Sequence, residues 1–458
     1  MRARPTTRSI ARASWRAVVA TLIALMATTF VPPVARANGR FPDAQFLVGS
    51  SDGRVLTLAT TFGVLVSNDA GLHFHWVCEA ALGLSPGTIF DYALLLTRDT
   101  TLIVSLPSGV ALSDPALCDF TYPSSAPIQR VLDLTGDPRG ESLVALFADG
   151  FGVDGLSVSH DRGASWHPAW SSGDWFVTTV DVAPGMSQRM YLSANGPMSD
   201  GATAGWALLR SDDGGSTFSV ATPSLDRAAS AFIAGVDPTA PDTVYVRVNR
   251  TDGRSALMRT TDGGGSFITL LTITTRMLGF ALSADGRTVW AAGQGPSEGI
   301  YRLDPGASTF QIVSQGFHPR CLRVIAGRLF ACAGQTEDGY ALAVSDDLGA
   351  TFTPLLRLQD LLGPDACDPA SGVASKCAAA WPAQHDLLRE TRDSGIALDA
   401  TAIADAPSDA IDERPRSNAG CGCTVPTQNA HAAISGAFFF ALAALRQRRD
   451  RRRAMDVR

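Results

Sequence analysis

The chain has 458 residues and a formal net charge of −6, with 45% hydrophobic residues, only 18% charged residues, 43 glycines and 26 prolines. That balance leaves no electrostatic footprint for nucleic acid. The apolar content is ample for a core, and sparse charge with abundant glycine and proline suits a β-rich, turn-rich protein.

The N-terminus has the three parts of a secretory signal. Arg2, Arg4, Arg8, Arg12 and Arg16 form a basic region, Ala17 to Val31 an apolar one, and Ala35-Arg36-Ala37 a small-x-small site before Asn38. The apolar run is short for a membrane span and ends in Pro32-Pro33, so residues 1–37 are expected to be a signal peptide cleaved after Ala37. No adjacent arginine pair opens it, which favours the Sec route over twin-arginine export.

From residue 67 onward a short phrase, S-x-D-x-G-x-T/S-F/W, returns roughly every 46 residues. Its five well-preserved copies begin at Ser67, Ser159, Ser211, Thr260 and Ser345, and each ends on an aromatic: Phe74, Trp166, Phe218, Phe267 and Phe352. The shared aspartates are Asp69, Asp161, Asp213, Asp262 and Asp347. A fixed period of this length marks repeated supersecondary units. Each copy is entered by a short β-type run, such as Gly63 to Val66, and two further apolar runs lie upstream, as in Phe176 to Val182 and Leu143 to Phe147. Three strands before the turn and one after it make four per unit.

Two worn copies fill the gaps. One starts at Ser113, with Pro115 in the aspartate column and Leu117 in the glycine column, and the other starts at Leu303, with Pro305 in the aspartate column. Unit starts at 67, 113, 159, 211, 260, 303 and 345 predict an all-β fold, a single seven-bladed β-propeller of four-stranded blades over residues 38–360. The first unit begins with its own first strand and the last ends with its own fourth, so closure needs no strand exchange. It is expected to rest on face packing and on the segment after Leu361.

The phrase reads as a tight hairpin connection. Its aspartate can accept from amides of its own turn, the glycine tolerates positive φ, and the leading Ser or Thr adds a second local bond. The closing aromatic should bury against the neighbouring sheet. In this form the phrase resembles the Asp-box, or BNR, repeat of sialidases, sortilin-type receptors and some glycoside hydrolases. That resemblance implies that the five aspartates are structural, on turns between third and fourth strands away from the ligand face. A calcium role would need clustered oxygen ligands that the phrase lacks. Val236-Asp237-Pro238-Thr239-Ala240-Pro241-Asp242-Thr243-Val244-Tyr245 is similar to the lead-in of sortilin-like and plant photosystem-assembly-like BNR propellers, a turn followed by a strand.

An exported chain meets an oxidising compartment, where cysteines become readable as bridges. Cys321 and Cys332 flank two short strands around Ala326-Gly327 and should face each other across a hairpin. Cys367 and Cys377 are expected to close a small loop after the last repeat, and Cys78 and Cys118 to staple neighbouring units. A zinc site competes, but neither a C-x-x-C pair nor companion histidine spacing supports it.

A sialidase would need an arginine triad, a Tyr/Glu nucleophile pair and an acid/base aspartate. The F-R-I-P motif of that family is absent, the corresponding region reading Gly39-Arg40-Phe41-Pro42-Asp43-Ala44. Propeller glutamates are Glu79, Glu141, Glu298 and Glu337, none in a recognisable catalytic phrase. His73 and His75 share one strand face, but two ligands do not make a metal site.

Beyond Phe352 the pattern decays. Residues 361–390 are expected to hold a bridged loop and a short helix from Trp381 to Glu390, and residues 391–420 a linker rich in Ala, Asp, Ser and Pro. Residues 421–458 carry Cys421-Gly422-Cys423, an apolar stretch from Ala432 to Leu445, and then Arg446, Arg448, Arg449, Arg451, Arg452 and Arg453. A short apolar segment followed by basic residues is a stop-transfer pattern. The tail resembles the MYXO-CTERM sorting signal of myxobacterial surface proteins. This implies processing by a myxosortase-like protease with Cys421 or Cys423 as the processing or anchoring position. The expectation is an exported propeller at the cell surface or outer membrane of a Gram-negative bacterium, anchored in the membrane through its C-terminus. It would serve, without a cofactor, as a non-catalytic binding module for a glycan or a secreted or surface protein; a sialidase-like glycosidase is the alternative.

Overall fold

The structure, a computed structural model, describes residues 42–393 apart from 86–87, 89–90, 127–128, 138–141, 149–153, 198–203, 223–224, 226–227, 296 and 365–366. The expected signal peptide with Ala37, the linker beyond 393 and the tail with Cys421 and Cys423 lie outside the described residues.

Among the described residues, twenty-eight strands form seven antiparallel sheets of four, each built from consecutive strands. The sheets cover residues 44–77, 94–121, 131–171, 176–220, 228–273, 277–314 and 319–356, and together they form a seven-bladed β-propeller. All seven third strands end on the residue that opens a repeat: Ser67, Ser113, Ser159, Ser211, Thr260, Leu303 and Ser345. The worn copies are therefore true blades in register with the others.

Burial explains why the strands read as they do. Second and third strands such as Leu56–Thr60 and Gly63–Ser67 are buried at every position, because each sheet is covered on both faces by its neighbours. Such strands read as continuous apolar runs rather than alternating ones. Fourth strands lie at the rim: no residue of His167–Ser171 is buried, and in Ile268–Ile273 only Ile273 is.

The ring closes without strand exchange. The inner strand of the first blade, Ala44–Gly49, lies against that of the seventh, Pro319–Ile325. Gly49 sits so near it that a Cβ would come 2.8 Å from Ile325 Cδ1. Arg320 adds an ion pair across the seam to Asp43 at 3.4 Å.

A latch reinforces the seam. After the seventh blade the chain crosses to the outer edge of the first, where the Leu362 amide donates to the Phe74 carbonyl at 3.0 Å and the Trp76 amide to the Gly363 carbonyl at 3.4 Å. It then makes two helices, Gly372–Cys377, capped by the Ser371 hydroxyl accepting from the Ala374 amide, and Trp381–Asp393. Leu358, Val373 and Leu388 are buried in the same apolar cluster as Leu47 and Trp76 of the first blade and Phe330 of the seventh. The Trp381 ring lies 5.6 Å from that of Trp76.

The disulfides follow this path. Cys321 and Cys332 are paired across their hairpin, as expected. Cys367 and Cys377 do not bond each other: Cys78 bonds Cys377, and Cys118 bonds Cys367. The expected bridge between the first two units through Cys78 and Cys118 is likewise replaced. The latch lies over both blades, so each of its cysteines meets a blade cysteine far away in sequence. The short loop between Cys367 and Cys377 is instead occupied largely by the helix Gly372–Cys377.

Candidate functional site

In a four-stranded antiparallel blade, the loop from first to second strand and the turn from third to fourth emerge at the same end. The loop from second to third strand and the linker to the next blade emerge at the other. The two kinds of connection at the first end touch: the Ala70 amide donates to the Arg54 carbonyl at 2.8 Å, and the Gly263 amide to the Asp242 carbonyl at 2.9 Å. The expected ligand face, away from the repeated turns, is therefore the end that carries the second-to-third-strand loops and the linkers between blades.

The repeated turns share one hydrogen-bond pattern. The Ser211 hydroxyl donates to Asp213 Oδ1 at 2.8 Å and accepts from the Gly215 amide at 2.9 Å, and Ser67, Ser159, Thr260 and Ser345 do the same in their copies. Asp213 also accepts from the Thr217 amide at 2.9 Å and the Thr217 hydroxyl at 2.6 Å. Ser165, Ser266 and Thr351 hold Asp161, Asp262 and Asp347 in this way. In the first copy His73 takes that place, through its amide and its ring Nδ1 to Asp69 at 2.6 Å. These bonds hold the Asp213, Asp161 and Asp347 carboxyls down at about 2, the hydroxyl of the following Thr or Ser contributing most. Asp69 also falls to about 2, although burial opposes the shift; the His73 amide and ring outweigh it. Asp262 is lowered too, chiefly by the Thr260 hydroxyl.

Sequence reasoning missed two features of this turn. The residue before the glycine is also left-handed, with φ near 60° at Ala70, Arg162 and Leu348. In the second blade Asp114, one place early, accepts from the Cys118 amide at 2.7 Å and the Asp119 amide at 3.0 Å, so an aspartate survives where the aligned column holds Pro115.

The serine is the hub, and it is only 1% exposed at Ser211. Ser211→Ala leaves the buried Gly215 amide without its acceptor, and we expect a loss of about 1–3 kcal/mol in chemical denaturation.

The seven inner strands enclose an axial cavity of about 480 Å³. Its lining comes from the C-terminal halves of those strands and from the first loops, Asp137, Pro184, Pro238 and Ser283 among them, so it lies toward the end that carries the repeated turns. Three charged side chains on inner strands of different blades line it, Asp133, Asp181 and Arg323, and Asp137 joins them from a first loop.

The two inner-strand carboxylates are tied to the neighbouring blade. Asp133 Oδ2 accepts from the Val180 amide at 3.0 Å, and Asp181 accepts from the Thr135 hydroxyl at 2.9 Å and the Val236 amide at 3.3 Å. Enclosure by the ring pushes Asp133 up to about 7, with the charge of Asp181 adding to the shift and the Val180 and Leu134 amides opposing it. Asp181 is also raised by enclosure, against the pull of Thr135 and Arg323. Arg323 is exposed to the lumen inside the ring of blades, and no ion pair or hydrogen bond holds it among the described residues. Enclosure lowers its pKa and Asp181 offsets the effect, while a guanidinium stays charged at any physiological pH.

The sign of the Asp133 shift sets a pH effect. A carboxyl near 4 when unfolded and near 7 when folded binds its proton more tightly in the native state. Its contribution is complete below about pH 4 and is lost as pH rises toward about 7. We expect Asp133→Asn to flatten the decline in melting temperature over that window, measured by thermal melts against the parent. The turn aspartates act oppositely: their contribution is present above about pH 4 and is lost as pH falls toward about 2.

The other sequence candidates do not converge on the cavity. Glu79 is buried in the linker beside Cys78, and Glu337 pairs with Arg320 at 3.2 Å. Glu298 accepts from the Tyr301 hydroxyl and from Thr274, so a Tyr/Glu pair exists, but on the outer part of the sixth blade. Glu141 lies outside the described residues. His75 Nδ1 faces the Gly363 carbonyl at 3.3 Å, within the latch. Asp237 caps its own turn, accepting from the Thr239 and Ala240 amides at 2.8 and 3.1 Å. Among the described residues no cluster of three or more His, Cys, Asp or Glu could hold a metal ion, and no helix is long and apolar enough to cross a membrane.

No protein-family model and no curated sequence matches the chain. Solved structures match at low identity. A chain of the nidogen/laminin complex is 8% identical, with a TM-score of 0.41 over 57% of this chain and 96% of its own. An oligogalacturonate lyase in complex with manganese is 10% identical, with a TM-score of 0.45 over 60% and 78%. The GH74 enzyme of Niastella koreensis is 14% identical, with a TM-score of 0.33 over 67% and 62%. At these values the likenesses carry no functional assignment.

Proposed function

We propose that this is an exported, surface-anchored propeller of the Asp-box, or BNR, class that acts as a non-catalytic binding module for a glycan or a secreted or surface protein. The observation that carries the reading is the state of the axial carboxylates. Asp133 accepts from an amide, and Asp181 from an amide and a hydroxyl, of adjacent blades, which gives both a role as stitches between inner strands. The repeated turns are likewise satisfied within themselves. The three disulfides among the described residues fit an oxidising compartment, in keeping with export. The C-terminal sorting signal and its protease belong to the same proposal; mass spectrometry of the mature protein tests them, and an intact Arg458 terminus would refute removal of the tail.

The second reading is a carbohydrate-active hydrolase, and the raised Asp133 favours it, since a carboxyl near 7 in a cavity suits a general acid. A panel of fluorogenic glycosides separates the two. A binding module turns none over, and cross-linking with pull-down from intact cells recovers its partner. Turnover that disappears in Asp133→Asn would establish the hydrolase instead.

A further inference from the structure

The mouth opposite the repeated turns carries an arrangement that the axial cavity does not use. Phe176 opens the inner strand of the fourth blade, and its ring is 55% exposed. It pairs in register with Asn195 on the second strand, which pairs in turn with Trp206 on the third. Residues directly opposite in an antiparallel sheet point to the same face, so the three side chains form a row running outward from the channel. The rings of Phe176 and Trp206 meet edge to face, 6.5 Å between centroids, across the strand that carries Asn195.

Each part of the row except Asn195 is braced. The Trp206 indole donates to the Ala229 carbonyl of the fifth blade at 3.0 Å, and the ring is 8% exposed, a floor rather than a free surface. On the other face, Trp175 packs so closely on Gly196 that a Cβ there would lie 2.4 Å from the indole, which fixes the backbone leading into Phe176. Asn195 is half-buried, and among the described residues its amide has no hydrogen-bond partner. An exposed aromatic ring is costly to hydrate, and the amide beside it has a spare donor and a spare acceptor to offer a ligand.

We propose that Phe176, Asn195 and Trp206 form a binding site for a neutral pyranose of a glycan. The apolar C–H face of a sugar ring covers the Phe176 ring, and adjacent hydroxyls, each both donor and acceptor, match the Asn195 amide. No charged group belongs to the row, which is why the sugar is neutral. The site rests on the glycan branch of the binding-module reading.

Isothermal titration of the mature protein with cellohexaose and maltohexaose, two neutral hexose chains of different shape, tests it. We expect one of them to bind, with affinity reduced at least about tenfold in Phe176→Ala and in Asn195→Ala. Phe176→Tyr, which keeps the platform, should retain binding and guards against a folding defect. Absence of binding by both probes overturns the site, as does unchanged affinity in the two alanine variants. If intact cells still yield a partner whose capture is unaffected by Phe176→Ala, the binding-module reading stands and this site alone falls.

Discussion

Replacing Cys78 and Cys377 by serine is expected to lower stability by about 2–4 kcal/mol, read from the urea midpoint against the parent protein. The bridge closes a segment of 299 residues, and the second one, Cys118 to Cys367, closes 249. Both hold the latch, and the latch carries Leu358, Val373 and Leu388 into a cluster that spans the seventh, first and second blades. Removing a bridge thus frees the unfolded chain and loosens the closing contact of the ring. The two losses will not add, because with one bridge in place the other constrains only the short segments between them. Cys321 and Cys332 are 11 residues apart within a hairpin already held by its ladder, so the same change there should cost less. Were the midpoint insensitive to both latch bridges, inner-strand packing alone would close the propeller.

Trp166→Ala should cost about 3–5 kcal/mol. Trp166 ends the third blade's repeat, is 2% exposed, and packs into a cluster with Ile103, Val110 and Leu112 of the preceding blade. Its indole also donates to the Gly163 carbonyl at 2.9 Å, so truncation opens a cavity at the interface and removes the turn's tie to its own closing aromatic. Trp166→Phe keeps most of the apolar area and loses that bond, and a smaller loss of about 1–2 kcal/mol is expected. Equal losses in the two variants would place the energy in the hydrogen bond rather than in packing between blades.

Much of the fold was legible because a propeller repeats itself. Each blade needs the same turn after its third strand, and the residues that satisfy that turn are local: Ser211, Asp213, Gly215 and Thr217 bond one another within seven residues. Local chemistry leaves a local pattern, so the seven third-strand ends stood out, even at Ser113, where Asp114 has taken over the accepting role. The Cys321 to Cys332 bridge was readable for the same reason, since a hairpin puts its partners within one ladder.

The candidate sites were not legible in this way. Asp133, Asp181 and Arg323 are separated by many residues and meet only because three inner strands face one lumen. Phe176, Asn195 and Trp206 align only through the register of three strands. The latch cysteines pair across the whole length of the ring, where nearness in sequence pointed to the wrong partners. The amino-acid sequence by itself therefore determined the number of blades, their strands and their turns, because each is stabilised by contacts within one repeat. The tertiary structure alone decided how the ring is latched, which end of the channel each loop reaches and which side chains share a surface, because those follow from closing seven repeats into a circle.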